Sequence, residues 1–210
     1  ITLPFNSVSL GRMALYSGLS FGVVLAVFHL WLLLLSMVNR RVPDTDRWQR
    51  MVRQYLGWVE PWPVPVKLAA PVFLAGALWW FAHAELVRQG MTAAPSSAAH
   101  LAQQCILVGL GTILAGRYLV IGLLFLGLLN TYLYLGSSSV WAYVQTTSRN
   151  LLRPLQLLPL RIGRIDLLPV VGLGLAWLAF AYAEAGISHF FGRFPRSEEH
   201  TSELQSRQVI

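Results

Sequence analysis

The sequence predicts an all-α membrane fold. Four transmembrane helices are arranged as two parallel two-helix repeats, each with a cytoplasmic amphipathic helix and a proline-rich turn. Three observations carry that reading. The chain is 55% hydrophobic and 12% charged, with a mean hydropathy of +0.55, whereas soluble domains are roughly a quarter charged. Several apolar runs approach or exceed the about 20 residues that cross a bilayer as a helix. Tryptophans and prolines also recur at matched spacings in the two halves.

The first run, residues 14–38, holds His29 and Tyr16 as its only titratable side chains. Residues 69–86 and 167–187 form two more, and a single charge, Arg117, interrupts a longer one at residues 101–135. Four spanning helices follow, joined by connections too short to hold a soluble domain. The first run begins well inside the chain and no small-residue cleavage site follows it, so a cleaved signal peptide is not expected. The only cysteine, Cys105, leaves no internal disulfide or multi-cysteine metal site, and in an apolar helix it reads as packing. Residues 196–206, RSEEHTSELQS, switch abruptly to acidic and polar composition. They back-translate, codon by codon, into a common sequencing-adapter oligonucleotide. Residues 196–210 are therefore expected to be a translated adapter artefact with no part in the fold. Without their two Arg and three Glu the net charge moves from +7 to +8.

Placement of the charge says more than its size. Arg40, Arg41, Arg47, Arg50, Arg53 and Lys67 lie between the first two runs, and Arg149, Arg153, Arg161 and Arg164 between the last two. The connection between the second and third runs carries only Arg88. The positive-inside rule then places loops 39–68 and 137–166 in the cytoplasm of a multi-pass protein of the bacterial inner membrane. Because the charges are juxtamembrane, the expected partners are the lipid bilayer and its anionic headgroups, not nucleic acid.

Trp48 precedes Pro61 by the same distance that Trp141 precedes Pro154, and Pro71 precedes Trp79 as Pro169 precedes Trp177. Residues 1–98 and 99–195 therefore read as two repeats of like orientation. In the first, Asp44 or Thr45 caps a helix over residues 46–59. Trp48, Met51, Val52, Tyr55, Leu56 and Val59 share one face at helical spacing, with Gln49, Arg50, Arg53 and Gln54 opposite. Too short to span, this helix either lies in the cytoplasmic interface or packs its apolar side on protein; the pattern leaves both open. Its counterpart, residues 140–152, turns Trp141, Val144, Leu151 and Leu152 inward.

The segment at residues 151–172, LLRPLQLLPLRIGRIDLLPVVG, is rich in turn-forming chemistry. Pro154 and Pro159 stop helix continuation and push the residues before them toward extended backbone. Gly163 permits a positive φ. Asp166 is placed to cap the last helix, whose first turn tolerates Pro169. Arg161 and Arg164 can pair with that carboxylate or with phosphates. Arg153-Pro154, Pro159, Gly163, Ile165-Asp166 and Pro169 together resemble, in order, the signature of the YggT family of integral membrane proteins. Leu168 departs from it, because the family has Ser before that Pro. The first repeat keeps prolines over residues 61–71 but lacks Gly-x-Ile-Asp, and so reads as a degenerate copy. The resemblance implies a bacterial inner-membrane protein, or a plastid-type relative, without known enzymatic activity.

No Ser-His-Asp set or carboxylate pair suggests an enzyme, and no cofactor or metal is expected. Gly109-Leu-Gly111 lacks the strand and spacing of a dinucleotide loop, while Gly172, Gly174 and Ala176 read as a helix-packing surface. His29 and His83 are expected to hydrogen-bond inside the bundle. Arg117 is expected to snorkel at the outer interface, and Glu85 and Glu184 to be solvated at helix ends. The leading expectation is a non-catalytic scaffold or assembly factor that docks lipids or a membrane-protein partner through its basic loops. Arg153, Pro154, Pro159, Arg161, Gly163, Arg164, Asp166 and Pro169 form the candidate docking motif. The alternative is a channel or channel modulator in osmotic or ion balance, with His29, Arg117, Asn130 and Thr131 lining a polar path.

Overall fold

The computed structural model describes residues 10–43, 46–133, 138–157, 161–162 and 165–192. Six α-helices run in the order α1 (Leu10–Val38), α2 (Arg47–Leu56), α3 (Val64–Arg88), α4 (Ala98–Tyr132), α5 (Ser139–Leu151) and α6 (Leu168–Gly192). Short 3₁₀ turns follow α2 (Gly57–Val59) and α5 (Arg153–Leu157). Two-residue strands, β1 (Arg161–Ile162) and β2 (Ile165–Asp166), pair antiparallel ahead of α6. α1, α3, α4 and α6 are each long and apolar enough to cross a membrane. No more than 17% of any of these spans is buried within the chain. Their apolar surface therefore faces outward, as lipid-facing helices require. Residues 196–210 lie outside the described residues.

Local chemistry accounts for most helix ends. The cap of α2 is Asp46, whose Oδ1 accepts from the N–H groups of Trp48 (2.8 Å) and Gln49 (3.2 Å); the expected caps, Asp44 and Thr45, lie outside the described residues. α2 stops at Gly57, whose φ of 50° a side chain would resist. α3 ends in a Schellman turn. Gly90 (φ 68°) donates to Val87 O, Met91 donates to Leu86 O at 2.8 Å, and the buried Met91 and Leu86 supply the apolar contact. Ser97 Oγ caps α4 by accepting from His100 N–H.

α3 differs from its expected span. It begins at Val64, ahead of residue 69, because Pro65 is tolerated in the first turn and the helix runs through Pro71. Lys67, read from sequence as a loop charge, is therefore a helical residue, and it is buried.

α4 is the central helix, roughly 52 Å long at 1.5 Å per residue, and it serves different partners along its length. Its first half packs on α3. A β-carbon added at Gly109 would meet the Val72 carbonyl oxygen at 2.6 Å, and one at Gly76 the Cys105 carbonyl oxygen at 3.0 Å. These glycines let two backbones approach as side chains would not allow. α1 meets the middle of α4, where Trp31 Nε1 donates to Ala115 O at 3.0 Å. The second half receives α5 at Gly127, against Ser148, and α6 further round. Gly109→Ala is expected to cost about 1–3 kcal/mol, because the obstacle is backbone. Gly111→Ala, where nothing lies within 4 Å, should leave the melting temperature in detergent unchanged.

The short helices do not stand apart from the bundle. α2 folds back along the last turns of α1, burying Val52 and Leu56 against Leu32. The rings of Phe28 and Tyr55 meet edge to face at 6.5 Å. Its buried stripe is Gln49, Val52 and Leu56, whereas Met51 and Tyr55 are exposed. Gln49, assigned from sequence to the polar face, is fully buried. One side of this helix packs on protein, while Met51 and Tyr55 leave a second apolar stripe exposed.

Candidate functional site

Both basic connections meet at one end of the bundle. Arg40, Arg41, Arg47, Arg50, Arg149 and Arg153 are exposed there. The connection at residues 89–97, which carries no charge, lies at the other end of α3 and α4.

The side chains that hold this end together are polar. Asn39, just past the end of α1, is 0% exposed. Its amide donates to Thr147 Oγ1 (2.8 Å) and Tyr143 Oη (3.1 Å) on α5, and its Oδ1 accepts from Asn150 Nδ2 at 2.9 Å. Gln49 on α2 closes the set, donating to Asn39 O at 3.5 Å and accepting from Tyr143 Oη at 3.4 Å. Burial pushes the Tyr143 phenol above its ordinary range, which keeps it a neutral donor at physiological pH. At the margin Trp48 Nε1 donates to Ser139 Oγ at 3.2 Å. A satisfied buried network of this kind specifies one packing geometry; here it locks α1, α2 and α5 to one another.

A second cluster lies one turn up α1. Ser36 Oγ donates to Glu60 Oε2 (2.5 Å) and accepts from Lys67 Nζ (2.8 Å), and Lys67 Nζ reaches the same carboxylate oxygen at 3.1 Å. Arg53 approaches Glu60 Oε1 at 3.5 Å and donates to Val42 O at 2.9 Å. Ser36 is 1% exposed, so its Oγ offers a substrate no approach. The cluster ties α1, the turn after α2 and the start of α3 into one unit.

The candidate docking motif is partly in view. Arg153 and Pro154 are exposed in the 3₁₀ turn, and Pro169 is buried in the first turn of α6. Arg161 pairs through its backbone with Asp166 in the two-stranded hairpin. Pro159, Gly163 and Arg164 lie outside the described residues. Asp166 Oδ1 accepts from Leu168 N–H at 3.1 Å, the helix-start role its position implies, and Tyr132 Oη donates to Asp166 O at 3.0 Å. Beside it a cavity of about 70 Å³ has a mixed lining that includes Leu124, Thr131, Gln145, Arg149, Leu152 and Asp166.

The intramembrane candidates are not brought together. His29 is exposed on α1, with its Nδ1 bonded to Leu25 O of its own helix rather than inside the bundle. His83 is half-buried, and its Nε2 has no partner among the described residues. Asn130 donates to Gln145 on α5 at 3.2 Å. Arg117 forms an ion pair at 2.5 Å with Glu184 of α6 and stacks on Tyr118. Glu85 pairs with Arg88 of its own helix. Gly172 packs on Leu152 as a packing surface should, but Gly174 faces open space.

Among the described residues no group of three or more His, Cys, Asp or Glu is placed to hold a metal ion. Sequence reasoning missed Ser36, Asn39, Glu60, Lys67, Tyr143 and Thr147. One signal was present: Ser36 and Asn39, three residues apart, put two polar groups on one face of an apolar helix end.

Four apolar spans, three of them packed on the central α4, with basic connections gathered at one end, define a multi-pass membrane protein. Comparison with protein families, curated proteins and solved structures finds no match to the chain.

Proposed function

We propose that the chain is a non-catalytic scaffold or assembly factor of the bacterial inner membrane. In this reading it is a YggT-type protein of two repeats, 1–98 and 99–195, with loops 39–68 and 137–166 in the cytoplasm. The reading is supported by the resemblance at residues 151–172 and by the order of elements in each half: long helix, short helix, 3₁₀ turn, long helix. The observation that carries it is the buried Asn39 network. Because α2 and α5 are pinned to each other, Arg47 and Arg50 of one and Arg149 and Arg153 beside the other form a single basic platform. A docking surface needs that fixed relation, and a pair of independent loops lacks it.

Juxtamembrane cations attract anionic headgroups by about 1 kcal/mol each. Replacing Arg47, Arg50, Arg149 and Arg153 together by Gln is expected to cut retention of phosphatidylglycerol on the gently solubilised protein by on the order of a thousandfold. Native mass spectrometry reads this directly, and undiminished retention with an intact helical spectrum would sink the proposal.

A further inference from the structure

The Arg117–Glu184 pair occupies an unusual place. Arg117 lies roughly 22 Å along α4 from Tyr132, and Glu184 roughly 24 Å along α6 from Leu168, at 1.5 Å per residue. Both lie inside the apolar spans. Yet the pair does not face a bundle interior. The Arg117 side chain is 29% exposed and that of Glu184 52%, on the outer side of the seam where α6 packs against α4.

The same seam carries an apolar groove of about 400 Å³ lined by Ile121, Phe125, Val170, Leu173, Gly174 and Trp177. Helical spacing sets the groove and the ion pair along the same faces of α4 and α6. Arg117, Ile121 and Phe125 recur every four residues on α4, and Glu184 stands two turns beyond Trp177 on α6. Gly174 leaves room in the groove wall, since a β-carbon there meets nothing within 4 Å. Trp177 is 60% exposed at the rim.

We infer that this seam is the contact face of a homodimer formed in the membrane. A carboxylate half exposed within an apolar span is costly against lipid on the side that Arg117 leaves uncovered. Acyl chains would fill the groove but cannot solvate Glu184. A second copy does both. The patch presents one positive and one negative charge side by side, so a two-fold axis along the seam sets Arg117 of each copy against Glu184 of the other, as an isologous interface requires. The open Gly174 then admits the partner's Trp177 or backbone.

Thiol cross-linking of the full chain in bilayers, with Cys105→Ala removing the native thiol, tests the face. A short bis-maleimide should trap dimers of Gly174→Cys and Leu178→Cys but not of Phe73→Cys, an exposed control on α3. A second arm tests the charges by co-expressing differently tagged Arg117→Glu and Glu184→Arg chains. Mixed pairs should exceed like pairs about tenfold, while helical content stays unchanged. Gly174→Leu should lower the dimer fraction of the otherwise native chain at least threefold. A monomer in bilayers, cross-linking through Phe73→Cys alone, or equal recovery of mixed and like pairs would each overturn the homodimer. None of these results bears on the basic platform, so the two proposals stand or fall separately.

Discussion

Asn39→Leu is expected to be among the most damaging single changes in the chain, lowering stability by about 3 kcal/mol, because several buried groups lose their partner at once. The amide serves Thr147, Tyr143 and Asn150 simultaneously. Leucine fills a similar volume, so the loss isolates hydrogen bonding from packing. The buried Tyr143 Oη and Thr147 Oγ1 would lose this partner in a site that water does not reach, and the half-buried Asn150 would lose its acceptor. Thermal unfolding in detergent, followed by tryptophan fluorescence, measures the loss. A double-mutant cycle with Asn150→Leu should return a coupling of about 1 kcal/mol or more, since the residues bond directly. The fluorescence of Trp48 should also change, because its indole bond to Ser139 depends on α2 and α5 keeping their registry. An Asn39→Leu protein as stable as the wild type, with the Trp48 signal unmoved, would show that the two short helices are held by other means.

The spans were legible because a bilayer imposes a length and a composition that a single sequence displays. Residues 14–38 and 167–187 nearly coincide with spans in the structure. What was not legible is how the spans meet. Lipid-facing and helix-facing positions are apolar alike, so no periodicity separates them, and the distinction rests on single small residues such as Gly109 and Gly76. The apolar run from residue 69 pointed to a later helix start than the one observed, because Pro65 is tolerated in the first turn and Lys67 is buried there. Gln49 shows the opposite failure. By composition it belongs on the polar face, but a buried amide is paid for when Asn39 and Tyr143 are waiting across the interface. Polar residues buried through long-range pairing leave almost no local trace. In the segment at residues 151–172 the helix cap was legible, and Asp166 takes that role.

A related asymmetry runs through the charged residues. Arg117 and Glu184 are far apart in sequence, and each alone reads as an interfacial side chain at a helix end. Their pairing is a product of the antiparallel packing of α4 on α6. The same holds for Glu60 and Lys67. Seven residues apart, they would lie two turns from each other on one helix; they stand instead on a turn and the following helix, joined through Ser36 of a third element. In each case the pattern announces a charge, and only the fold names its partner.

Glu60→Ala is the second large effect, and its comparison with Lys67→Met tests which member of the cluster depends on the other. The Lys67 side chain is 6% exposed and Glu60 is the one carboxylate among its described contacts. Removing that carboxylate leaves a buried ammonium with only the Ser36 hydroxyl, and breaking a buried pair in this way costs about 3–5 kcal/mol. Lys67→Met removes the other partner but leaves a carboxylate that is a quarter exposed and still faces Arg53 at 3.5 Å. The expected cost is smaller, about 1 kcal/mol, because the remaining charge keeps both water and a cation. The double variant Glu60→Ala/Lys67→Met should recover much of the single Glu60→Ala loss, since no uncompensated charge then stays buried. Melting of the three variants in the same detergent orders them directly. If Lys67→Met proved the more damaging, or if the double variant simply summed the two losses, the ammonium would not be the group whose burial depends on Glu60. The expected order makes Glu60 the residue that allows α3 to begin as early as Val64, with a lysine inside its first turns.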